Sequence, residues 1–106
     1  MKLVYVCSPY RGNIEHNTAR ARRYCRFAIT QKAVPIAPHI LFTQFLDDDI
    51  PEERQIGLQQ GLELLKHCDE IWVFGERISE GMQGEIAAAQ QLGIPIHCYN
   101  DRCEKR

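Results

Sequence analysis

The sequence predicts an α/β fold, a four-stranded parallel sheet in strand order 2-1-3-4 with helices on both faces. Three observations predict it. Short runs rich in strand formers alternate with amphipathic segments in the order β-α-β-α-β-α-β. That alternation means a parallel sheet sandwiched between helix layers. The chain has 106 residues with no repeat and no linker, which suits one continuous core. Right-handed crossovers then leave few topologies open.

Leu3-Val4-Tyr5-Val6-Cys7 is the first buried strand, ending at the loop Ser8-Pro9-Tyr10-Arg11-Gly12. Asn13 can cap the helix that follows to Gln31. Ala21, Cys25, Ala28 and Ile29 recur there at helical spacing, with Arg20, Arg22, Arg23 and Arg26 on the surface. Val34-Pro35-Ile36-Ala37 reads as an edge strand, since Pro35 and Pro38 exclude regular helix. Pro38 to Ile50 is a longer connection with one helical turn around Thr43–Leu46. Pro51 opens the second helix with Glu52 and Glu53 in its first turn. Leu58, Leu62 and Leu65 form its expected inner stripe. Ile71-Trp72-Val73-Phe74 is the third strand, closed by Gly75. Ser79 caps a third helix carrying Met82, Ile86, Ala89 and Leu92 inward, and Gly93 ends it. Ile94-Pro95-Ile96 is the fourth strand. Residues 1–99 read as a single domain and residues 100–106 as a polar tail that frays. The result is a small flavodoxin-like three-layer sandwich.

Composition narrows the function. Lys+Arg is 13 and Asp+Glu 14, a formal charge of −1. No large positive field exists to hold duplex nucleic acid by phosphate neutralisation. Long apolar runs are absent, so no membrane-spanning helix is expected, and the first ten residues show no secretion signal. The five cysteines include no CxxC pair, which argues against a disulfide framework and points to a reducing cytoplasm. Cys7, Cys25 and Cys68 read as small buried apolar residues. His97, Cys98 and Cys103 form the one local group of metal-ligand types, and their spacing is not that of a structural zinc site. No metal and no cofactor is expected.

In open α/β sheets, ligands bind at the carboxyl ends of the strands near the switch point, here between the first and third strands. The loops after Cys7 and after Phe74 should therefore line one site. In Ser8-Pro9-Tyr10-Arg11-Gly12, Arg11 can grip a phosphate or carboxylate and Gly12 permits close backbone approach. The same segment also reads as an ordinary turn with a solvated arginine. Ser79-Glu80-Gly81 opens a helix whose free N–H groups suit an anion, or is a plain serine cap. Glu85 lies at the edge of the apolar stripe, as a nucleophile or base, or as a dipole-stabilising charge. His39, just past the second strand, can touch a ligand there or serve packing. Asp47-Asp48-Asp49 reads as a solvated lead-in to the helix. Gly57 and Gly61 make a groove open to a helix, a partner subunit or a ligand.

Tyr5-Val6-Cys7-Ser8-Pro9-Tyr10-Arg11-Gly12, with Ser79-x-Gly81-x-x-x-Glu85 and Gly93-Ile94-Pro95, resembles the nucleoside 2-deoxyribosyltransferase superfamily. The likeness is closer to its 2′-deoxynucleoside 5′-phosphate N-hydrolase branch and to small uncharacterised bacterial and phage relatives. It spans Leu3 to Ile96. The resemblance implies a flavodoxin-like fold and cleavage or exchange of the N-glycosidic bond of a (deoxy)nucleoside 5′-monophosphate. Glu85 would attack C1′ and form a covalent glycosyl-enzyme, as in a retaining glycosidase. Tyr5 would orient that carboxylate. The Ser8–Gly12 loop, Ser79 and Gly81 would face the 5′-phosphate, with His39 beside them. A homodimer or higher homo-oligomer is implied, because members complete their sites from a neighbouring subunit. One departure stands out. The family aspartate that helps protonate the leaving base falls, eight residues ahead of Asp69, on Gly61. Glu63 is rotated to another helix face, and His39, Asp47–Asp49 and Glu80 are the other candidate acids. Loss of a general acid costs ~10²–10⁴-fold. The rival reading is a non-catalytic nucleotide-binding or sensor domain of the same fold. A third is a structural subunit that assembles through the Gly57/Gly61 groove.

Overall fold

The computed structural model describes residues 1–106. Strand β1 (Leu3–Cys7) leads into helix α1 (Ile14–Thr30), whose cap is Asn13: its side-chain oxygen accepts from the His16 N–H at 3.2 Å. Strand β2 (Val34–Ile36), helix α2 (Pro38–Leu41) and a 3₁₀ turn (Phe42–Gln44) follow. Helix α3 (Pro51–Leu65), strand β3 (Glu70–Phe74), helix α4 (Glu80–Leu92) and strand β4 (Ile96–Tyr99) complete the chain. The strands lie in the expected order β2-β1-β3-β4 and every pair is parallel.

Alternation along the strands sorts the core into two layers. Val4 and Val6 face α1 with Tyr24, Ala28, Trp72 and Phe74. Tyr5 and Cys7 face the other way, with Ile71, Val73, Leu65 and Met82. The first layer is aromatic: Tyr24 stacks on Phe74 at 4.4 Å, and Tyr99 stacks on the same ring at 5.1 Å. β2 is the edge strand that Pro35 requires.

The structure differs from the expectations in six places. Pro38 does not interrupt helix but opens it as the first residue of α2, so the expected turn at Thr43–Leu46 starts earlier. β4 begins at Ile96 rather than Ile94, because Pro95 has no N–H for the ladder; its carbonyl still accepts from the Ile71 N–H at 3.0 Å. Ile29 is 61% exposed, and Tyr24 fills the inner face of α1 instead. Leu58 and Leu62 are exposed, leaving Gly61 and Leu65 as the buried residues of α3; the two leucines border a cavity rather than the core. Leu92, expected inward on α4, is exposed.

The sixth difference is the tail, which does not fray. Tyr99 and Lys105 form an antiparallel bridge, and the Arg106 N–H donates to Cys98 O at 2.9 Å. The Arg106 guanidinium donates to Gly75 O at 2.7 Å, closing the tail onto the end of β3. Asp101 accepts from the Tyr24 hydroxyl at 3.2 Å and pairs with Arg20 at 2.8 Å. Asn100 makes the reversal possible, its side-chain oxygen accepting from the N–H groups of Arg102 and Glu104. All five cysteines are free, and no helix is long and apolar enough to cross a membrane.

Burial ranks the core positions. Phe74→Ala should cost about 3–5 kcal/mol, whereas Ile29→Ala should stay within ~0.5 kcal/mol. Urea denaturation of the two variants checks the assignment; similar losses would contradict the placement of α1.

Candidate active site

A cavity of about 800 Å³ opens beside the carboxyl end of β1, between α2 and α3 on one side and the start of α4 on the other. Strand alternation puts Tyr5 in its floor and Cys7 buried on the same face, and α4 brings Glu85 over them. The Tyr5 hydroxyl donates to Glu85 Oε2. The Cys7 thiol donates to Glu85 Oε1 at 3.3 Å. Both carboxylate oxygens are therefore held, one by each of two residues that follow each other on one strand face.

The environment is dry. Burial raises the Glu85 carboxyl above its ordinary range, outweighing the two hydrogen bonds that pull it down. Burial and the nearby Glu85 charge hold the Tyr5 phenol and the Cys7 thiol well above theirs, so both stay protonated donors. An acidic residue that is buried, hydrogen-bonded at both oxygens and open to a cleft suits attack on a carbon centre.

His39 sits on α2 with its Nε2 2.8 Å from the Ser8 hydroxyl. Burial pushes its imidazole down to about 4, so it is neutral near pH 7. Arg11 reaches the same cavity, where its guanidinium donates to Asp48 at both the carboxylate (2.8 Å) and the backbone carbonyl (3.0 Å). The second helix lead-in is thus not simply solvated: Asp48 anchors Arg11, and Asp47 Oδ1 accepts from the Asp49 N–H at 3.0 Å.

At the mouth, Ser79 caps α4, its hydroxyl oxygen accepting from the Met82 N–H at 3.2 Å while Met82 Sδ accepts from the Ser79 N–H. The exposed Gly81 leaves the first turn uncovered. Gly61 faces the Tyr5 side of the cavity: a Cβ there would stand 3.4 Å from the Tyr5 hydroxyl and 3.4 Å from Pro38 Cβ.

Eight of the ten expected residues border this cavity together: Tyr5, Ser8, Tyr10, Arg11, His39, Ser79, Gly81 and Glu85. Pro9 and Gly12 do not. They face an adjoining cleft of about 730 Å³ over the start of α1, which also touches Arg11 and Ser79. Gly12 is needed there for its φ of +101°. The Cys7 contact was not expected; its signal was the period-2 spacing from Tyr5. The Ser8–His39 pair joins two loops 31 residues apart, and no local pattern announces it. The other ligand types noted in the sequence do not gather: no group of three or more His, Cys, Asp or Glu side chains is arranged to hold a metal ion.

Fold and site together define an α/β domain of the 2-deoxyribosyltransferase fold. A 2-deoxyribosyltransferase from Bacillus psychrosaccharolyticus matches with a TM-score of 0.75 and 17% identity, over 92% of this chain and 72% of that one. A 2-deoxyribosyltransferase from Leishmania mexicana matches with a TM-score of 0.64 and 17% identity, over 94% of this chain; the chain spans 65% of that enzyme's length. At such identities the likeness establishes the fold. The chain itself belongs to the family described as domain of unknown function DUF7768, whose model matches residues 2–99. No curated protein sequence matches it.

His39 gives the site a pH signature. The folded chain keeps it neutral down to about pH 4, whereas in the unfolded chain it takes up a proton near 6.5. The unfolded state then binds more protons, so stability is full above about pH 6.5 and falls as pH drops towards 4, by roughly 3 kcal/mol. Glu85 works in the opposite direction but equally in a His39→Gln variant. The stability of wild type minus His39→Gln, from urea denaturation between pH 7 and 4, should therefore shrink as pH falls; a constant difference would refute the buried neutral histidine.

Proposed function

We propose that the chain cleaves, or transfers across, the N-glycosidic bond of a (deoxy)nucleoside 5′-monophosphate, with Glu85 as nucleophile. The observation that carries this reading is the Glu85 carboxylate, buried on the cavity floor and held at both oxygens by Tyr5 and Cys7. Attack of a Glu85 oxygen on C1′ breaks the bond to the base and leaves a glycosyl ester. Water, or the base of a second nucleoside, then displaces Glu85 from C1′. Tyr5 and Cys7 favour the charged form and aim it, while burial, the larger effect, keeps it poorly solvated.

The 5′-phosphate belongs at the opening, where the first turn of α4 offers N–H groups beside Ser79 and Gly81. Arg11 and the Ser8–Gly12 loop flank that position, and the Ser8–His39 pair braces the loop. No metal or cofactor enters this chemistry. The five free thiols fit a reducing cytoplasm.

The same side of the molecule suits assembly. Leu58 and Leu62 on α3 are exposed apolar side chains lining the cavity, and Phe45 after the 3₁₀ turn is exposed as well. A second copy covering them would enclose the site, and a homodimer or higher homo-oligomer is our reading. Light scattering at micromolar concentration should show more than one copy per particle; a strict monomer would count against it.

The reading is tested by chromatographic detection of free base, with wild type and Glu85→Gln incubated with nucleosides and their 5′-monophosphates. Base release should depend on the 5′-phosphate and drop roughly 10³-fold or more in Glu85→Gln. The variant should also melt at or above the wild-type temperature, because a carboxyl raised by burial weakens the fold as pH rises past its unfolded value and the amide does not. A Glu85 that merely favours the helix dipole would instead leave a lower melting temperature and unchanged release. No release from any compound, with a 5′-nucleotide still raising the melting temperature, would favour the non-catalytic binding module.

A further inference from the structure

We infer that this site selects N-glycosides whose leaving group departs without taking up a proton, that is, 5′-phosphorylated (deoxy)ribosides of cationic heterocycles such as a pyridinium. The inference rests on the Glu85 reading above and names the substrate class it would serve. With the phosphate at the start of α4 and C1′ at Glu85, the heterocycle must extend towards the α2–α3 wall. That wall carries an apolar strip, Phe42, Leu46, Leu58 and Leu62 with Gly57 and Gly61, edged by Thr43, Glu53, Arg54 and Gln55. Gly61 is the α3 position that approaches the Tyr5 hydroxyl, and it carries no side chain.

Most of the acidic groups around the cavity are otherwise engaged; Tyr10 and Glu80 line it without a side-chain partner. Tyr5 and Cys7 donate to Glu85. Asp48 pairs with Arg11 at 2.8 Å, and Glu53 accepts from the Asp47 N–H at 2.9 Å. Buried His39 shares its hydrogen bond with Ser8 and is neutral near pH 7. Glu80 stands beside Ser79 at the phosphate end. A neutral purine or pyrimidine leaves as an anion unless it is protonated, and a positioned acid contributes ~10²–10⁴-fold to that step.

A cationic ring needs no such acid. As a Glu85 oxygen forms its bond to C1′, the electron pair of the C1′–N bond goes to the ring nitrogen and cancels its positive charge. The ring departs neutral. Water then attacks C1′, Glu85 leaves as carboxylate, and the surplus proton of that water passes to solvent. The sum is one neutral heterocycle, one sugar phosphate and one proton from one water. The apolar strip favours this direction, because it penalises the bound cation more than the neutral product.

The test compares wild type, Gly61→Asp and Glu85→Gln on nicotinamide mononucleotide and N7-methylguanosine 5′-monophosphate against GMP, dGMP, AMP and dAMP. Rates of base release are referred to the uncatalysed rate of each compound. Wild type should accelerate the cationic pair ~10²-fold or more beyond the neutral set. Its kcat/KM for nicotinamide mononucleotide should rise to a plateau with pH and show no alkaline limb, since no acid has to stay protonated. In Gly61→Asp the preference should fall at least ~10-fold, because the new carboxyl can protonate neutral bases. Equal or greater acceleration of neutral nucleotides, or an alkaline limb on the cationic substrate, would overturn the inference and leave the Glu85 reading standing. Release that persists in Glu85→Gln, or no release from any compound, would overturn that reading itself.

Discussion

The pairing of β1 with β3 is the constraint on which the rest of the molecule depends. Val4 to Cys7 lie beside Glu70 to Val73 in parallel register, with β2 and β4 outside them. Both strands are covered on each face, so the chain cannot slip by one residue without moving every side chain to the opposite layer. Val4 and Val6 then serve the aromatic layer under α1, and Tyr5 and Cys7 serve the other. The two donors on Glu85 are thus positioned by the same period-2 alternation that builds the core. Because β1 is central and its neighbours leave it in opposite directions, the loops after β1 and β3 part at its carboxyl end and open the cleft. Fold and site have one geometric cause.

Glu85 shows the electrostatic consequence. Its carboxyl is buried, which disfavours the charge, and two hydrogen bonds only partly offset that cost. Neither donor can be lost to ionisation at neutral pH, since burial keeps both protonated. A carboxylate in such a place weakens the fold relative to an apolar residue of the same size. The rest of the domain compensates through packing: Tyr24, Phe74 and Tyr99 form a continuous stack on the far side of the sheet. Asp101 ties that stack to the tail through Tyr24 and Arg20. Both layers are packed, and the one towards the cleft also holds the buried Glu85 group.

Much of this was legible in the sequence. Element order, strand order and the convergence of the Ser8–Gly12 loop with Ser79–Glu85 followed from alternation, breakers and the switch-point rule. What was misread has a common origin in tertiary context. Leu58 and Leu62 have the spacing of a core stripe, but they border the cavity, while α2 packs on α3 at Gly61. Periodicity reports that a helix has an apolar face, not what covers it. The tail is polar by composition, yet Asn100, Asp101 and Arg106 hold it through specific hydrogen bonds that no hydropathy pattern encodes. The Ser8–His39 pair and the Arg11–Asp48 pair are contacts between loops distant in sequence, for which spacing carries no signal. Cys7 was read as filler because its type suggests that, although its place beside Tyr5 on one strand face already located its thiol.

Arg11 unites the two readings that its loop allowed, a solvated arginine or an anion ligand. Its guanidinium is about half exposed and bonded to Asp48 and the backbone of the α3 lead-in. An exposed ion pair of this kind is worth at most about 1 kcal/mol. On the proposed function, a phosphate at the α4 N-terminus would compete with one carboxylate for the same donors, because bidentate contact with arginine adds geometric fit to charge. The pair therefore holds Arg11 extended over the cleft without locking it. Asp48 keeps the side chain from swinging into solvent, which lowers the entropy lost when an anion engages it.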